Sequence, residues 1–169
     1  MKKYLSLIAC AVIGIASANA APVNDNFADA INLPGNSGIL SGNTTIDATF
    51  EVDEPVCFYA GTVNTAWFKW TCAADGTFTI STTGSQNATP LEWDAVVATY
   101  TGSTLATLTQ VVQQDNGLDE TVTFPVTAGT TYYVQMGGYP TPPPDDAVNI
   151  LLNWIWTPPP PRVMVTEPF

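Results

Sequence analysis

Residues 67–82 read Trp67-Phe68-Lys69-Trp70-Thr71-Cys72-Ala73-Ala74-Asp75-Gly76-Thr77-Phe78-Thr79-Ile80-Ser81-Thr82. Apolar and polar side chains alternate on either side of Asp75-Gly76. Two such runs about an Asp-Gly pair predict a β-hairpin. Phe68, Trp70, Cys72, Phe78 and Ile80 fall on one face, and Lys69, Thr71, Thr77, Thr79 and Ser81 on the other. That pattern belongs to an antiparallel sheet with one face in the core and one in water. Trp93-Asp94-Ala95-Val96-Val97-Ala98-Thr99-Tyr100-Thr101-Gly102 adds another strand.

Downstream, Leu105 to Gln113 reads as a strand closed by Gln114-Asp115-Asn116-Gly117. Val122, Phe124 and Val126 alternate on the next strand, and Ala128-Gly129 turns the chain. Tyr132, Val134 and Met136 face inward on its partner, with Tyr133 and Gln135 outward. Gly137-Gly138 and Pro140 to Pro144 make a loop. A last strand puts Val148, Ile150, Leu152, Trp154 and Trp156 on one face. Upstream, residues 24–33 predict a short helical turn capped by Asn24 or Asp25 and ended by Pro34-Gly35. Gly38 to Glu51 reads as a first strand, broken at Asp53-Glu54-Pro55. Turn signals at roughly 8–12-residue intervals predict an all-β fold: an antiparallel β-sandwich, jelly-roll-like, of about eight strands.

The chain has 169 residues, enough for one domain with a core of its own. Residues 1–20 read as a Sec signal peptide: Lys2 and Lys3 open it, Tyr4 to Ile15 is apolar, and Ala18-Asn19-Ala20 is a small-x-small cleavage pattern. The apolar run is short for a transmembrane segment. Leu7-Ile8-Ala9-Cys10 resembles a lipoprotein box, but ordinary secretion with cleavage near Ala20 is the preferred reading. Residues 21–157 form the expected sandwich, and 158–169 a Pro-rich C-terminal tail.

Fifteen acidic residues stand against four basic ones, a net charge of −11. Without Lys2 and Lys3, two basic residues remain and the net is −13. Such a surface repels nucleic acid and anionic lipid. It leaves cations, neutral glycans and basic protein patches as partners. The chain contains no histidine, which excludes His-based triads and His-ligated zinc.

Cys57 and Cys72 are the cysteines of the exported part, and an oxidising setting favours pairing them. A bridge of that span contributes about 3 kcal/mol in the chain-entropy picture. The alternative is a buried thiol at Cys72 and a separate loop thiol at Cys57. Asp94, Asp115, Asn116, Asp119 and Glu120 fall in loops that a sandwich can gather at one end, with Asp25 joining if the N-terminal segment folds back. Calcium takes six to eight oxygens from such groups. The plainer reading is that Asp and Asn are turn formers. No cofactor is required.

Trp67, Trp93, Tyr133 and Tyr139 are candidate ligand-facing aromatics, flat rings on which a sugar can stack. The competing role for such rings is to fill the core. Glu92 and Asp94 stand too close in sequence to define a glycosidase cleft. No Asp-Thr-Gly loop is present, and the many serines have no histidine base. No catalytic residue is assigned, and the protein reads as a non-enzyme.

The order of these pieces resembles the PPC-like (bacterial pre-peptidase C-terminal-like) secreted β-sandwich family. The resemblance is carried by Asn24-Asp25-Asn26-Phe27-Ala28-Asp29-Ala30, Asp53-Glu54-Pro55, Trp67-Phe68-Lys69-Trp70-Thr71 and Thr82-Thr83-Gly84-Ser85. It continues through Trp93-Asp94-Ala95, Tyr100-Thr101-Gly102, Gln114-Asp115-Asn116 and Ala128-Gly129-Thr130-Thr131-Tyr132-Tyr133-Val134. The resemblance implies a non-catalytic accessory module that binds an extracellular protein or glycan. Some relatives bind calcium through acidic loops. Gln114-Asp115-Asn116 stands where the family often has Asn-Asp-Asp, so one carboxylate of that pattern is an amide here. Two rival functions stand beside the binding module. One is a structural subunit of a surface layer or filament, with copies joined by strand exchange through Val163-Met164-Val165. The other is a calcium-stabilised carbohydrate-binding accessory protein.

Overall fold

The computed structural model describes residues 20–57, 64–87, 93–139 and 146–161. The signal peptide, Cys10, Glu92 and the tail from Arg162 lie outside the described residues. Among the described residues, ten strands and two short 3-10 turns follow one another. The strands are β1 (Ile31–Asn32), β2 (Ser37–Asn43), β3 (Thr65–Thr71), β4 (Gly76–Ser81), β5 (Gln86–Asn87), β6 (Ala95–Thr101), β7 (Thr109–Gln114), β8 (Thr121–Val126), β9 (Thr131–Gly138) and β10 (Ala147–Thr157). One sheet has the order β1-β3-β9-β6-β7, the other β2-β10-β4-β8, with β5 pairing β10. The sandwich is antiparallel except where β1 runs parallel to β3.

The hairpin expected around Asp75-Gly76 does not form. β3 pairs β9 and β1 in the first sheet, whereas β4 pairs β8 and β10 in the second. The Asp-Gly corner carries the chain across the core. Trp70 and Phe78 therefore face each other and stack at 4.0 Å between ring centroids. Asp75 secures the corner by accepting the Ala128 N–H at 2.8 Å.

Alternation places the inner faces as expected. Phe68, Trp70, Cys72, Phe78, Ile80, Val122, Phe124, Tyr132, Val134, Met136, Ile150, Leu152 and Trp154 share one buried cluster. Val148 is the exception and is exposed, because the register against β5 shifts between Ala147 and Asn149. The bulge puts Val148 out of phase with Ile150, Leu152 and Trp154, which keep the inward face. Pro125 lies within β8, an edge strand, where its missing N–H breaks no ladder.

The outer face of the first sheet is wet only in part. Residues 22–57 fold over it, and Phe27, Ala30 and Cys57 bury Trp67, Val96, Ala98 and Tyr100 beneath them. Trp67 N–H donates to the Asn24 carbonyl at 2.8 Å, and Asn24 Nδ2 returns a bond to the Trp67 carbonyl at 3.1 Å. The N-terminal turn is the three-residue 3-10 segment Phe27–Asp29 and has no side-chain cap. Its Phe27 N–H is accepted instead by Glu51 Oε2 at 2.6 Å. The strand expected over Leu105 to Gln113 is a 3-10 turn, Leu105–Thr107, followed by β7. Among the described residues, no helix is long and apolar enough to cross a membrane.

Candidate functional site

Two regions gather polar chemistry, at opposite ends of β6 and so about 20 Å apart. The first lies beside Asp94, where β6 begins. Ala95 N–H donates to the Leu118 carbonyl at 3.1 Å, drawing the 115–120 loop against it. Glu120 is fully buried. Its N–H donates to Thr82 Oγ1 at 2.8 Å, and its Oε1 accepts the Asn116 N–H. Its Oε2 is buried and completes no hydrogen bond, although the Gln114 amide lies near enough to favour the charged form. Burial pushes the Glu120 carboxyl above its ordinary value, and the nearby Asp115 and Asp94 charges add to the rise. Burial also raises Asp115.

The calcium candidates are thus only partly brought together. Asp94, Asp115 and Asn116 surround Glu120, and Asp119 has a buried Oδ1 without a hydrogen bond. Among the described residues, no three acidic groups converge closely enough to hold a metal as they stand. Asp25 is committed elsewhere: Oδ1 accepts the Thr49 N–H at 2.5 Å and Oδ2 the Thr49 hydroxyl at 2.8 Å.

The second region is a groove of about 570 Å³ on the outer face of the first sheet. Lys69 and Tyr133 are cross-strand partners on β3 and β9 and form its floor. Phe27, Glu51 and Asp53 make one wall; Ser103, Thr104 and Leu105 make the other. Phe27 packs against the Tyr133 ring at 4.4 Å and fixes its plane. The far wall is braced by a capping box between Thr104 and Thr107. Gly102 permits that tight loop: its φ is +136°, and a Cβ there would lie 2.7 Å from the Thr107 carbonyl oxygen.

The other aromatic candidates fare differently. Trp67 and Trp93 are fully buried, Trp67 under the N-terminal segment and Trp93 in the central core, so neither faces a ligand. Large rings in a sandwich are needed as filling, and both are used that way. Tyr139 is 41% exposed, next to the acidic end, where its N–H donates to the Asp94 carbonyl at 2.8 Å.

The expected Cys57–Cys72 bridge is absent. Cys72 points into the core, and its thiol donates to the Ala74 carbonyl at 2.8 Å. Cys57 lies on the opposite side of the same sheet, donating to Gln135 Oε1 at 2.9 Å. A layer of backbone separates the two sulfurs, and no side-chain rotation spans it. Around Cys57, the structure shows a buried network that alternation alone does not reveal. Glu54 Oε1 accepts from the Thr65 hydroxyl and, at 2.8 Å, from Gln135 Nε2. Gln135 Oε1 also accepts from Tyr100 Oη at 2.9 Å. Burial pushes the Cys57 thiol up to about 12, and raises Tyr100 and Glu54 as well.

Residues 64–138 match the family model of the bacterial pre-peptidase C-terminal (PPC) domain. Over that segment, 75 of its 169 residues, the chain is similar to the PPC domain. The match spans β3 to β9 and leaves out β1, β2 and β10 of the sandwich. Solved structures that resemble the chain include the following two. The periplasmic PliG of Aeromonas hydrophila, an inhibitor of g-type lysozyme, is 10% identical with a TM-score of 0.47, over 76% of this chain and 96% of that one. The pre-peptidase C-terminal domain of a Bacillus anthracis collagenase is 13% identical with a TM-score of 0.42, over 76% and 94%. No curated protein matches the chain.

Proposed function

We propose that the protein is an exported, non-catalytic binding module that works outside the cytoplasm through its outer surface. The observation that carries this reading is the PPC-like segment, residues 64–138, lying within a two-sheet sandwich. The signal-peptide pattern of residues 1–20 supports export. Three side chains with nucleophilic or acid character, Cys57, Tyr100 and Glu54, are each hydrogen-bonded to Gln135 in a buried network. Immobilised protein should retain a saturable partner from the envelope or medium of the producing bacterium. It should not turn over peptide, ester or glycoside substrates. Turnover of any of these by purified material removes the reading.

Calcium stabilisation at the acidic end is a second reading, favoured by one specific observation. Glu120 Oε2 is buried without a hydrogen bond, with Asp115 and Asp94 close by. Glu120, Asp94, Asp115 and the Asn116 amide are the groups a hard cation would draw together, with water completing its shell. Millimolar calcium should raise the thermal midpoint relative to EGTA, and Glu120→Gln should abolish the rise. An unmoved midpoint retires the site.

A further inference from the structure

We propose that the groove over Tyr133 and Lys69 binds a short neutral oligosaccharide. This rests on the reading of the protein as a non-catalytic binding module and names the ligand class. The groove's volume of about 570 Å³ falls within the ~300–1,000 Å³ typical of small-molecule sites. Its floor holds an aromatic ring fixed from one side: Phe27, in the wall, packs on Tyr133, and Tyr133 stands beside Lys69 across the β3–β9 ladder. A pyranose ring presents an apolar C–H face that such a plane accepts.

The groove carries charges of both signs. Lys69 is the only lysine or arginine among the described residues, and it lines the same groove as Glu51 and Asp53. An ammonium only donates and carboxylates only accept. An anionic ligand would meet Glu51, Asp53 and a chain of net charge −11. A cationic one would meet Lys69. A wholly apolar ligand would strip water from all three without replacing its bonds. Sugar hydroxyls both donate and accept, so a neutral polyol satisfies the ammonium and the carboxylates together. Hydrogen bonds position the acid wall: Glu51 accepts the Phe27 N–H through Oε2, and its own N–H donates to Glu54 Oε2 at 2.8 Å. Ser103 and Thr104 offer hydroxyls from the other side.

The test is a glycan array carrying neutral and anionic oligosaccharides, probed with the secreted protein and followed by calorimetry on the best neutral glycan. Neutral glycans should be retained and anionic ones should not. Tyr133→Ala should weaken binding about tenfold or more, whereas Tyr133→Phe, which keeps the ring plane, should stay within about threefold. Lys69→Met should weaken binding without lowering the thermal midpoint, which covers the case in which Tyr133→Ala disturbs the fold. Thr123→Ala, on the other sheet, should change nothing. An array silent for neutral glycans, retention of anionic glycans alone, or binding untouched by both groove variants overturns the proposal. Recovery of the glycan intact leaves the non-catalytic reading in place. Its cleavage would remove that reading while leaving the groove assigned.

Discussion

Gln135 uses its whole hydrogen-bonding capacity inside the protein. Nε2 donates to Glu54 Oε1 at 2.8 Å and to the Pro55 carbonyl at 3.0 Å, and Oε1 accepts from Cys57 and Tyr100. Alternation puts Gln135 on the outer face of its sheet, and that placement is right. It is dry because residues 51–57 close over it, and no local pattern in the sequence reports such a cover. Two predictions follow from the network. Burial holds the Cys57 thiol near 12, and Cys72 is buried and also raised, so neither should react with a thiol reagent in the folded protein at pH 8. Both should react in denaturant, and the intact mass should show no loss of two hydrogens. A bridged mass would refute the arrangement of the two sulfurs. Glu54 sets a pH dependence. Burial raises its folded pKa above the ordinary 4.5, so the folded state holds the proton more tightly than the unfolded chain. Its contribution is therefore fully present below about 4.5 and is lost as pH rises through the folded value. Glu120 and Asp115 shift the same way, so the measurement must isolate Glu54. The difference in urea-unfolding free energy between wild type and Glu54→Gln should narrow as pH rises over that window. A pH-independent difference would show that Glu54 does not titrate there.

At the scale of elements, strand existence was legible and strand partners were not. Alternation locates the cores of β3, β4, β8, β9 and β10, because each sends every second side chain into the central core, whereas β6 is buried on both faces. Pairing across Asp75-Gly76 departs from the expected hairpin for a physical reason. A hairpin and a sheet-to-sheet corner both need a tight turn, and both put Trp70 and Phe78 on the dry side. In a hairpin the two rings lie side by side on one sheet; at this corner they stack face to face between two. The groove was less legible still. Tyr133 could be named from its outward position, but its walls come from residues 27, 51–53 and 103–105, which meet only in the fold. Glycine marks one close approach that can be tested. Gly38 of β2 faces Trp154 of β10, and a Cβ at position 38 would lie 2.3 Å from the indole. Trp154 belongs to the central core and has little room to yield. Gly38→Ala should therefore destabilise the protein by about 1–3 kcal/mol, the usual cost of overpacking. Ser41→Ala, exposed on the same strand, should stay within about 0.5 kcal/mol. Equal midpoints for the two variants in chemical denaturation would contradict the β2–β10 register.

At the scale of the molecule, the matched family segment is smaller than the folding unit. Residues 64–138 contain four of the five strands of the first sheet, but only β4 and β8 of the second sheet's main path. β10 lies outside the match, yet it is the centre of the second sheet, with β2 on one side and β4 on the other. It brings Ile150, Leu152 and Trp154 to the core. Without it, β4 and β8 form an isolated two-stranded ribbon, a unit of marginal stability in water. The inner face of the first sheet would then expose Phe68, Trp70 and Met136. Its outer face would lose Phe27 and Ala30, and Trp67 and Tyr100 would be uncovered. A fragment of residues 64–138 should therefore give the far-ultraviolet spectrum and collapsed amide dispersion of an unfolded chain. Residues 21–161 should give dispersed amides and a cooperative thermal transition. Adding residues 21–57 to the fragment should not rescue it, because they cover the outer face and supply β2, but they leave the position between β2 and β4 vacant. A folded 64–138 fragment would mean that β10 is an accessory strand, and the two-sheet core described above would have to be redrawn around the first sheet alone.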